Sequence, residues 1–227
     1  MVTQLLDHSL GHLACQIPGA TRVFHALRLD FCCAGQKSLR QAALERGLDA
    51  LDVQARLLAL PPADHESADW RDAPLDSLIA HLLQRYHEVH RQQLPELIRL
   101  AARVEQVHGW RADAPQGLTE FLLSLQQELD SHMQKEEQVL FPMIVRGAGP
   151  LAGGPISVMC YEHDQHGAAL AQLLELAHDL QPPDDACTTW RALYRGLDEL
   201  HRDLMQHIHL ENHVLFPRAL GEEAHNG

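Results

Sequence analysis

Residues 132–142 read HMQKEEQVLFP and residues 207–217 read HIHLENHVLFP, and these two segments decide the fold of the chain. They share the pattern His-x3-Glu-x2-Val-Leu-Phe-Pro at an offset of 75 residues. On an α-helix, side chains four positions apart lie one above the other, about 40° apart around the axis. Each segment therefore directs one imidazole and one carboxylate toward a common point. Two such pairs facing each other would form a metal pocket suited to iron, manganese or zinc.

Apolar residues at helical spacing surround both segments. They predict four long helices, which span roughly residues 75–109, 115–147, 155–182 and 188–221 and are separated by loops rich in Gly and Pro. No segment with the period of a strand competes with them. The chain is therefore predicted to be all-α.

A second repeat links the first and third helices. The pair His87-x2-His90 recurs as His163-x2-His166, 76 positions later. The four helices are therefore two copies of one helical hairpin, which together would close an antiparallel four-helix bundle with a metal site in its core.

The part of the chain before the bundle has a different character. Residues 1–60 predict a small helical domain of short helices with breaks, and residues 61–74 predict a linker rich in Pro, Ala and Asp. The bundle then occupies residues 75–221. Between two of the short helices, Cys32 and Cys33 lie in a Gly-containing loop, which is predicted to be flexible and exposed.

Overall composition excludes several classes of protein. The net charge is −13 and no long basic block is present, so nucleic acid is not an expected partner. No apolar run approaches the roughly 18 residues of a membrane span, and the first 20 residues do not resemble a signal peptide. Five cysteines, two of them adjacent, do not suggest a disulfide framework. A cytoplasmic protein is expected.

Four candidate ligands occupy positions where the helices otherwise bury apolar side chains: His132, Glu136, His207 and Glu211. A buried carboxylate without a partner is unfavourable, and a single buried histidine is more often a hydrogen-bonded core residue than a ligand. Two identical pairs at matching positions of a repeat favour the metal site.

The first and third helices must add donors, because two histidines and two carboxylates would leave a metal pair short of ligands. Periodicity alone does not separate His87 from His90, or His163 from His166. The remaining histidine of each pair could support the ligands or lie just outside the core.

Other polar residues flank the ligand positions. Glu128 lies one turn before His132, and Glu162 adjoins a candidate ligand. Both could be solvated residues at a helix edge, or part of a path for iron or protons into the site. His209 and His213 are predicted to point away from the ligand face and to lie on the surface.

The ligand pattern His-x3-Glu resembles that of the hemerythrin-like domain. Together with the Asp-Phe-Cys-Cys segment at residues 30–33, Gly-Pro-Ile-Ser-Val-Met at 154–159 and Cys-Thr-Thr-Trp at 187–190, it makes the chain similar to the RIC (repair of iron centres) family, also called YtfE/ScdA. The similarity runs nearly from end to end. One departure is Cys32-Cys33-Ala34-Gly35, where the family often has Cys-Cys-Gly-Gly.

The resemblance implies two non-haem iron ions per chain, bridged by carboxylates and an oxo group. It also implies which residues are the metal ligands: His87, His132, Glu136, His163, His207 and Glu211. His90 and His166 would then lie outside the ligand set. The implied function is repair of iron–sulfur clusters damaged by nitric oxide or peroxide, so damaged iron–sulfur proteins are the expected partners, and a homodimer is possible.

The adjacent thiols of Cys32 and Cys33 have two interpretations. They could be small residues in a turn, or thiolates that carry iron or reduce the iron pair, and the second interpretation is preferred. Lys37 and Arg40 follow closely and could favour the thiolate form.

Three functions remain open at this point: a protein that donates iron to damaged clusters, a di-iron enzyme that reduces nitric oxide, and a non-catalytic sensor or carrier of nitric oxide or oxygen. Whether the chain is an enzyme stays undecided. The cysteine pair favours the first function over a carrier, which would not need it.

Overall fold

The computed structural model describes residues 5–61 and 70–221. Within these ranges the protein is helical, and one isolated bridge between Ser9 and Ser38 is the only β-structure found there. The predicted all-α class is confirmed. Most of the predicted linker, residues 62–69, lies outside the described residues.

Four short helices form the N-terminal unit, residues 5–61. They are α1 (Leu10–Gln16), α2 (Ala20–Ala26), α3 (Leu39–Glu45) and α4 (Ala50–Leu58). Hydroxyl and carboxylate side chains cap three of them: Ser9 accepts from the backbone N–H of His12, Ser38 from Gln41 and Asp49 from Leu51.

Four long helical stretches form the bundle, and three of them contain a π-helical turn. The first hairpin consists of α5 (Leu75–Leu82), the turn Leu83–His87, α6 (Glu88–His108), α7 (Leu118–Lys135), the turn Glu136–Leu140 and α8 (Phe141–Val145). The second hairpin consists of α9 (Gly153–Leu176), α10 (Thr188–Leu210), the turn Glu211–Leu215 and α11 (Phe216–Leu220).

The π-turns of the second and fourth stretches lie at matching positions of the repeat. Each one ends two residues before a proline, Pro142 or Pro217, which has no backbone N–H. The N–H groups of Phe141 and Phe216 donate five residues back, to the carbonyls of the two repeated glutamates. Turns of this kind are frequent at functional sites.

Two apolar clusters fill the interior, and a polar layer separates them. The smaller cluster packs Leu78 and Leu82 of α5 against Leu140, Ile156 and the end of the fourth stretch. The larger cluster fills the other half of the bundle and continues into the N-terminal unit through residues such as Phe24 and Phe31. The N-terminal unit and the bundle therefore share one apolar core.

The N-terminal unit lies against the second hairpin. Its α1 packs on the turn Glu211–Leu215, and Arg28 pairs with Asp198 of α10 at 3.3 Å. The Cys32–Cys33 loop lies against α9 and the same π-turn. This contact brings the cysteines close to the polar layer of the bundle.

Candidate metal centre

Six side chains meet in the polar layer between the two apolar clusters. They are the four histidines and two glutamates implied by the resemblance, and each is at most 2% exposed: His87, His132, Glu136, His163, His207 and Glu211. Their ligand atoms form two groups of four, and both groups contain the two glutamates. One group adds His87 and His207, and the other adds His132 and His163.

The imidazoles face each other in pairs across the bundle. The Nε2 atoms of His87 and His207 lie 3.2 Å apart, and those of His132 and His163 lie 3.1 Å apart. Each pair joins one histidine from the first or second helical stretch to one from the third or fourth. The two hairpins therefore contribute equally to both groups.

Each carboxylate reaches one histidine of each pair. Glu136 Oε2 lies 3.5 Å from Nε2 of His87 and 3.5 Å from Nε2 of His132. The two oxygens of Glu211 lie 3.1 Å from Nε2 of His207 and of His163. Both glutamates thus lie between the two imidazole pairs and belong to both groups.

Three of the four histidines are held from behind through Nδ1. His87 Nδ1 lies 2.8 Å from Glu137 Oε1, His132 Nδ1 2.9 Å from Glu162 Oε2, and His163 Nδ1 2.7 Å from Asn212 Oδ1. Since these partners are acceptors, Nδ1 carries the proton and the Nε2 lone pair points into the site.

The fourth histidine is supported differently. Nδ1 of His207 is buried and has no hydrogen-bond partner among the described residues. The ring of Tyr86 instead stacks on His207, with centroids 5.3 Å apart and planes 4° from parallel. One of the two imidazole pairs therefore contains a ring that has no hydrogen bond at Nδ1.

The imidazole nitrogen and carboxylate oxygen atoms of the six side chains suit a cation as ligands. Nε2 of His132 and Nε2 of His163 both present lone pairs, which repel at 3.1 Å unless a positive charge lies near both. Neither oxygen of Glu136 has a hydrogen-bond partner in the described part of the chain, although both are buried. Buried acceptors without donors are unfavourable, and a cation would satisfy them.

The charge states of the site agree with this fit. Burial and the neighbouring Glu211 raise the pKa of Glu136 well above its usual range. Burial also acts on Glu211, but His207 and His163 outweigh it and hold the pKa of Glu211 well below its usual range. Burial lowers the pKa of His132 to about 2, so this ring is neutral and can bind a metal at neutral pH.

Comparison with known proteins places this centre in a family. Residues 78–219 match the Hemerythrin HHE cation binding domain, and residues 6–61 match a Domain of Unknown function (DUF542). The iron-sulfur cluster repair protein YtfE of Pectobacterium carotovorum subsp. carotovorum (strain PC1) is 52% identical over 219 residues, which cover 96% of this chain and 98% of the relative.

Two further relatives agree with the first. The iron-sulfur cluster repair proteins YtfE of Edwardsiella ictaluri (strain 93-146) and Dickeya chrysanthemi (strain Ech1591) are each 51% identical, cover 95% and 96% of this chain, and are themselves covered to 98%. The chain belongs to the YtfE family. Its hemerythrin-like domain is a cation-binding domain, and the buried His and Glu groups are where a metal could bind.

His90 and His166, which periodicity left undecided, belong to neither group of this YtfE-family chain. Both are buried beside the ligands, with ring centroids 5.4 Å from His207 and 4.9 Å from His132, respectively. Neither His90 nitrogen has a partner among the described residues. The two rings therefore line the site from the side of the larger apolar cluster.

The two acidic residues proposed for a path occupy different positions. Glu162 is partly buried, accepts from His132 and also pairs with Lys135. Glu128 is exposed and accepts from Ser124 Oγ at 3.0 Å. Both line a surface groove of about 280 Å³, at which His166 also lies.

The cysteine loop differs from the prediction, which was wrong on its exposure. Cys32 is 1% exposed, and Cys33 is partly buried. Asp30 Oδ1 accepts from the backbone N–H groups of Cys32 and Cys33 at 3.0 and 2.9 Å, which fixes the turn. The two Sγ atoms lie 3.4 Å apart.

The expected activation of these thiols by nearby cations is not found. Lys37 pairs with Glu45, and Arg40 pairs with Asp7. The hydrogen bond with Cys33, burial and the carboxylate of Asp30 instead raise the pKa of Cys32 well above its usual range. The Cys32 thiol is therefore protonated at neutral pH in this conformation.

The prediction that His209 and His213 lie on the surface was also wrong. His209 is 2% exposed and packs edge-on against Phe31, at 5.4 Å between centroids. The ring of His213 fills a slot between Gly11 and Gly35, where an added Cβ would lie 2.4 and 2.6 Å from it. Helical periodicity gave the correct direction away from the site, but the N-terminal unit covers that face.

Sequence reasoning did not identify Glu137, Asn212 and Tyr86 as the groups behind the ligands. A signal was available, because Glu137 and Asn212 directly follow the two repeated glutamates. Residues at that position lie next to the same face of the helix. Their partners could not be assigned without the packing of one helix on the next.

Proposed function

We propose that this protein binds two iron ions between the six buried ligands and repairs iron–sulfur clusters damaged by oxidative or nitrosative stress by donating iron. The observation that carries the proposal is the pair of four-residue groups that share Glu136 and Glu211. Shared carboxylates and terminal histidines are how helix bundles hold pairs of iron ions. The relatives' printed function, iron-sulfur cluster repair, supplies the reaction.

The ligand types favour iron over magnesium or calcium, which prefer sites made of oxygen atoms. The carboxylate bridges would be Glu136 and Glu211, with an oxo group as a third bridge. Iron held there would supply both the metal to be donated and a centre able to exchange electrons. The chain's own residues would then orient the ligands, provide a route to solvent and place two thiols nearby.

The route to solvent that we infer runs along the groove of Glu128 and Glu162. The Glu162 carboxylate touches the Nδ1 side of His132 and is also partly exposed at the groove. A residue that contacts both a ligand and solvent can pass a proton, or receive a cation that leaves the site. Glu128 at the outer end of the groove would attract that cation.

The cysteine pair has a proposed role in transfer. Cys33 Sγ lies 3.1 Å from the backbone carbonyl oxygen of His163, which is one of the six proposed ligands. The cysteine loop therefore contacts a residue of the metal centre directly. Neighbouring thiols can lose their protons and bind iron, or they can form a disulfide with each other, which would give two electrons to the iron pair and release two protons. Cys32 must first leave its buried position with Asp30 to do either.

The test is reactivation of a dehydratase whose iron–sulfur cluster has been damaged by nitric oxide or peroxide. The iron-loaded wild type should restore its activity, and the Cys32→Ser/Cys33→Ser double variant should bind as much iron without restoring it. The rate at which a chelator removes iron from the oxidised and reduced protein shows whether the iron is labile enough to donate. Equal reactivation by both proteins would assign the chemistry to the iron pair alone.

The alternative, reduction of nitric oxide at the iron pair, predicts a different result. The protein would then consume nitric oxide over many turnovers without losing iron, and the double cysteine variant would do the same. A sensor of nitric oxide or oxygen would bind the gas without turnover. Measuring iron content and nitric oxide consumption together separates the three functions.

Location and assembly also belong to the proposal. We infer a cytoplasmic setting from the cysteine pattern, five cysteines of which two are adjacent, which does not suggest a disulfide framework. Among the described residues, no helix is long and apolar enough to cross a bilayer. A homodimer stays a prediction, which sedimentation of the purified chain would check.

A further inference from the structure

One side chain, Asn212, touches both the metal centre and the cysteine loop. Its Oδ1 accepts from Nδ1–H of His163 at 2.7 Å, and its Nδ2 donates to the backbone carbonyl of Cys32 at 3.1 Å. The two contacts determine each other, because a backbone carbonyl can only accept, so the amide nitrogen must face Cys32. The oxygen is then left to face His163, which fixes the proton of that ring on Nδ1.

The repeat shows why an amide occupies this position. The residue 75 positions earlier is Glu137, which accepts from the equivalent ligand His87. A carboxylate is the stronger acceptor for an imidazole, but it has no proton to donate. The amide oxygen of Asn212 is a weaker acceptor than a carboxylate, but its amide nitrogen can donate to the backbone carbonyl of Cys32. The first hairpin, which carries no such loop, keeps the carboxylate.

A second contact holds the loop to the same ligand residue. Cys33 Sγ donates to the backbone oxygen of His163 at 3.1 Å. The approach requires a residue without a side chain on α9, because a Cβ on Gly167 would lie 2.9 Å from Cys33 Sγ. The loop is therefore fastened to the backbone of His163 through Cys33 and to its ring through Asn212.

We propose that Asn212 is a positioning residue that couples docking of the Cys32–Cys33 loop to metal binding by His163. A metal ion on Nε2 makes the Nδ1–H of the same imidazole a better donor, which strengthens the bond to Asn212 and fixes its amide toward Cys32. By linkage, a docked loop must strengthen metal binding by the same factor. The inference rests on the proposed metal site and adds that the thiols are released when the metal leaves.

The experiment measures backbone amide hydrogen exchange of residues 30–36 in the full-length protein, with and without added Co²⁺ as the probe metal. Exchange of α3 serves as the internal reference, because that helix does not contact the site. In the wild type, metal should slow loop exchange relative to α3 by about tenfold, the usual size of a coupling between two sites. Because Asp30, Cys32 and Cys33 could themselves hold the metal, the measurement is repeated in the Cys32→Ser/Cys33→Ser variant, where metal protection of the loop should persist.

The Asn212→Asp variant removes the donor and keeps the acceptor. Its loop should exchange about tenfold faster than the wild type even without metal, since a hydrogen bond is lost and a carboxylate faces the Cys32 carbonyl. Added Co²⁺ should no longer slow it. The matched control is Gln138→Glu, the same exchange of an amide for a carboxylate at an exposed residue of the first hairpin, which should leave loop exchange and its metal dependence as in the wild type.

The outcomes separate this inference from the proposed function. The coupling would be overturned if the loop of Asn212→Asp exchanged at the wild-type rate. It would also be overturned if Co²⁺ slowed loop exchange equally in both proteins. If Asn212→Asp does not fold by circular dichroism, Asn212→Ser, which is smaller and uncharged, takes its place with the same expected result. A wild type that binds no metal would overturn the proposed function, whereas faster loop exchange in the metal-free variant would still support the docking role.

Discussion

The two hairpins of the bundle share their inner ligands and differ in what stands behind them. His87 and His132 of the first hairpin correspond to His163 and His207 of the second. The first hairpin places the carboxylate of Glu137 behind its leading histidine, and the second places an amide there. The residues that face the site are thus the same in both hairpins, whereas the residues behind them differ.

A second difference appears one residue before the leading histidines. Glu162 of the second hairpin holds His132 by a hydrogen bond, whereas its counterpart Tyr86 stacks on the ring of His207. The two groups of four side chains are therefore unequal. One has two histidines with hydrogen-bonded Nδ1 atoms, and the other has a single one.

The outer faces of the hairpins have also diverged. His209 and His213 are packed beneath the N-terminal unit, while the residues 75 positions earlier, Gln134 and Gln138, are exposed. The N-terminal unit therefore packs on the second copy of the repeat. Two of the differences, at Asn212 and at His209 and His213, lie where this unit docks.

The largest expected effect tests the part of the hairpins that is the same. Glu136→Leu and Glu211→Leu should each reduce bound iron to less than about one ion per chain, because each carboxylate belongs to both ligand groups. The helices should persist, since replacing a buried charge by an apolar group of similar volume is often neutral or stabilising. Metal analysis and circular dichroism measure both.

The matched control is His90→Leu, a buried histidine of the same layer that belongs to neither group. It should retain most of the iron. Full iron in either glutamate variant would show that this carboxylate does not bridge. Loss in only one of them would show that the hairpins are unequal at the inner ligands as well.

The extent to which the sequence predicted this site follows from the range of each interaction. Spacing along a helix predicted four of the six inner residues, His132, Glu136, His207 and Glu211, and the resemblance added His87 and His163. The burial of His209, the position of the cysteine loop and the pairing of Lys37 with Glu45 could not be predicted. They depend on how the N-terminal unit packs, and periodicity within one helix carries no information on that.

The next effect concerns the N-terminal unit, which covers the second hairpin. A chain that begins at residue 72 should still form the bundle and bind iron, because all six ligands lie beyond that point. It should melt at least several degrees lower, since the second hairpin loses the apolar contacts of the N-terminal unit. A soluble but iron-free product would mean that the unit is part of the metal site. Calorimetry and metal analysis of the truncated chain give the answer.

Acid should lower the stability of the folded protein, because His201 of the second hairpin takes up a proton on unfolding. Burial, His25 and Arg28 lower the pKa of His201 to about 3, whereas the unfolded chain has a pKa near 6.5. Between these values the unfolded state binds one more proton, so the stability from this group is complete above about pH 6.5 and is lost as the pH falls. At pH 5.5 the loss is about 1.4 kcal/mol.

His201→Gln checks this contribution, because glutamine is the counterpart in the first hairpin, at residue 126. Metal-free wild type and variant are melted at pH 7.5 and 5.5. The wild type should lose about 3–5 °C more than the variant between the two values, from about 2–4 °C per kcal/mol for a chain of this size. Equal losses would show that His201 takes up no proton on unfolding.

The smallest effect concerns Gly167, which stands where the first hairpin has Arg91. In an open helix, Gly→Ala stabilises by about 1 kcal/mol. Here the new Cβ would lie 2.9 Å from Cys33 Sγ and 3.0 Å from Cys33 Cβ, so the cysteine loop must shift. Displacing packed groups costs about 1–3 kcal/mol, which should cancel or exceed the gain.

The control for Gly167→Ala is Gly154→Ala in the first turn of the same helix, where a Cβ meets nothing within 4 Å. It should not lower the melting temperature. Repeating Gly167→Ala in a Cys33→Gly background removes both atoms that the Cβ would meet, so the substitution should then stabilise as it does in an open helix. The difference between the two backgrounds is the interaction energy of this single contact, because the rest of the helix is unchanged. A difference near zero would mean that Cys33 does not rest on Gly167 in solution.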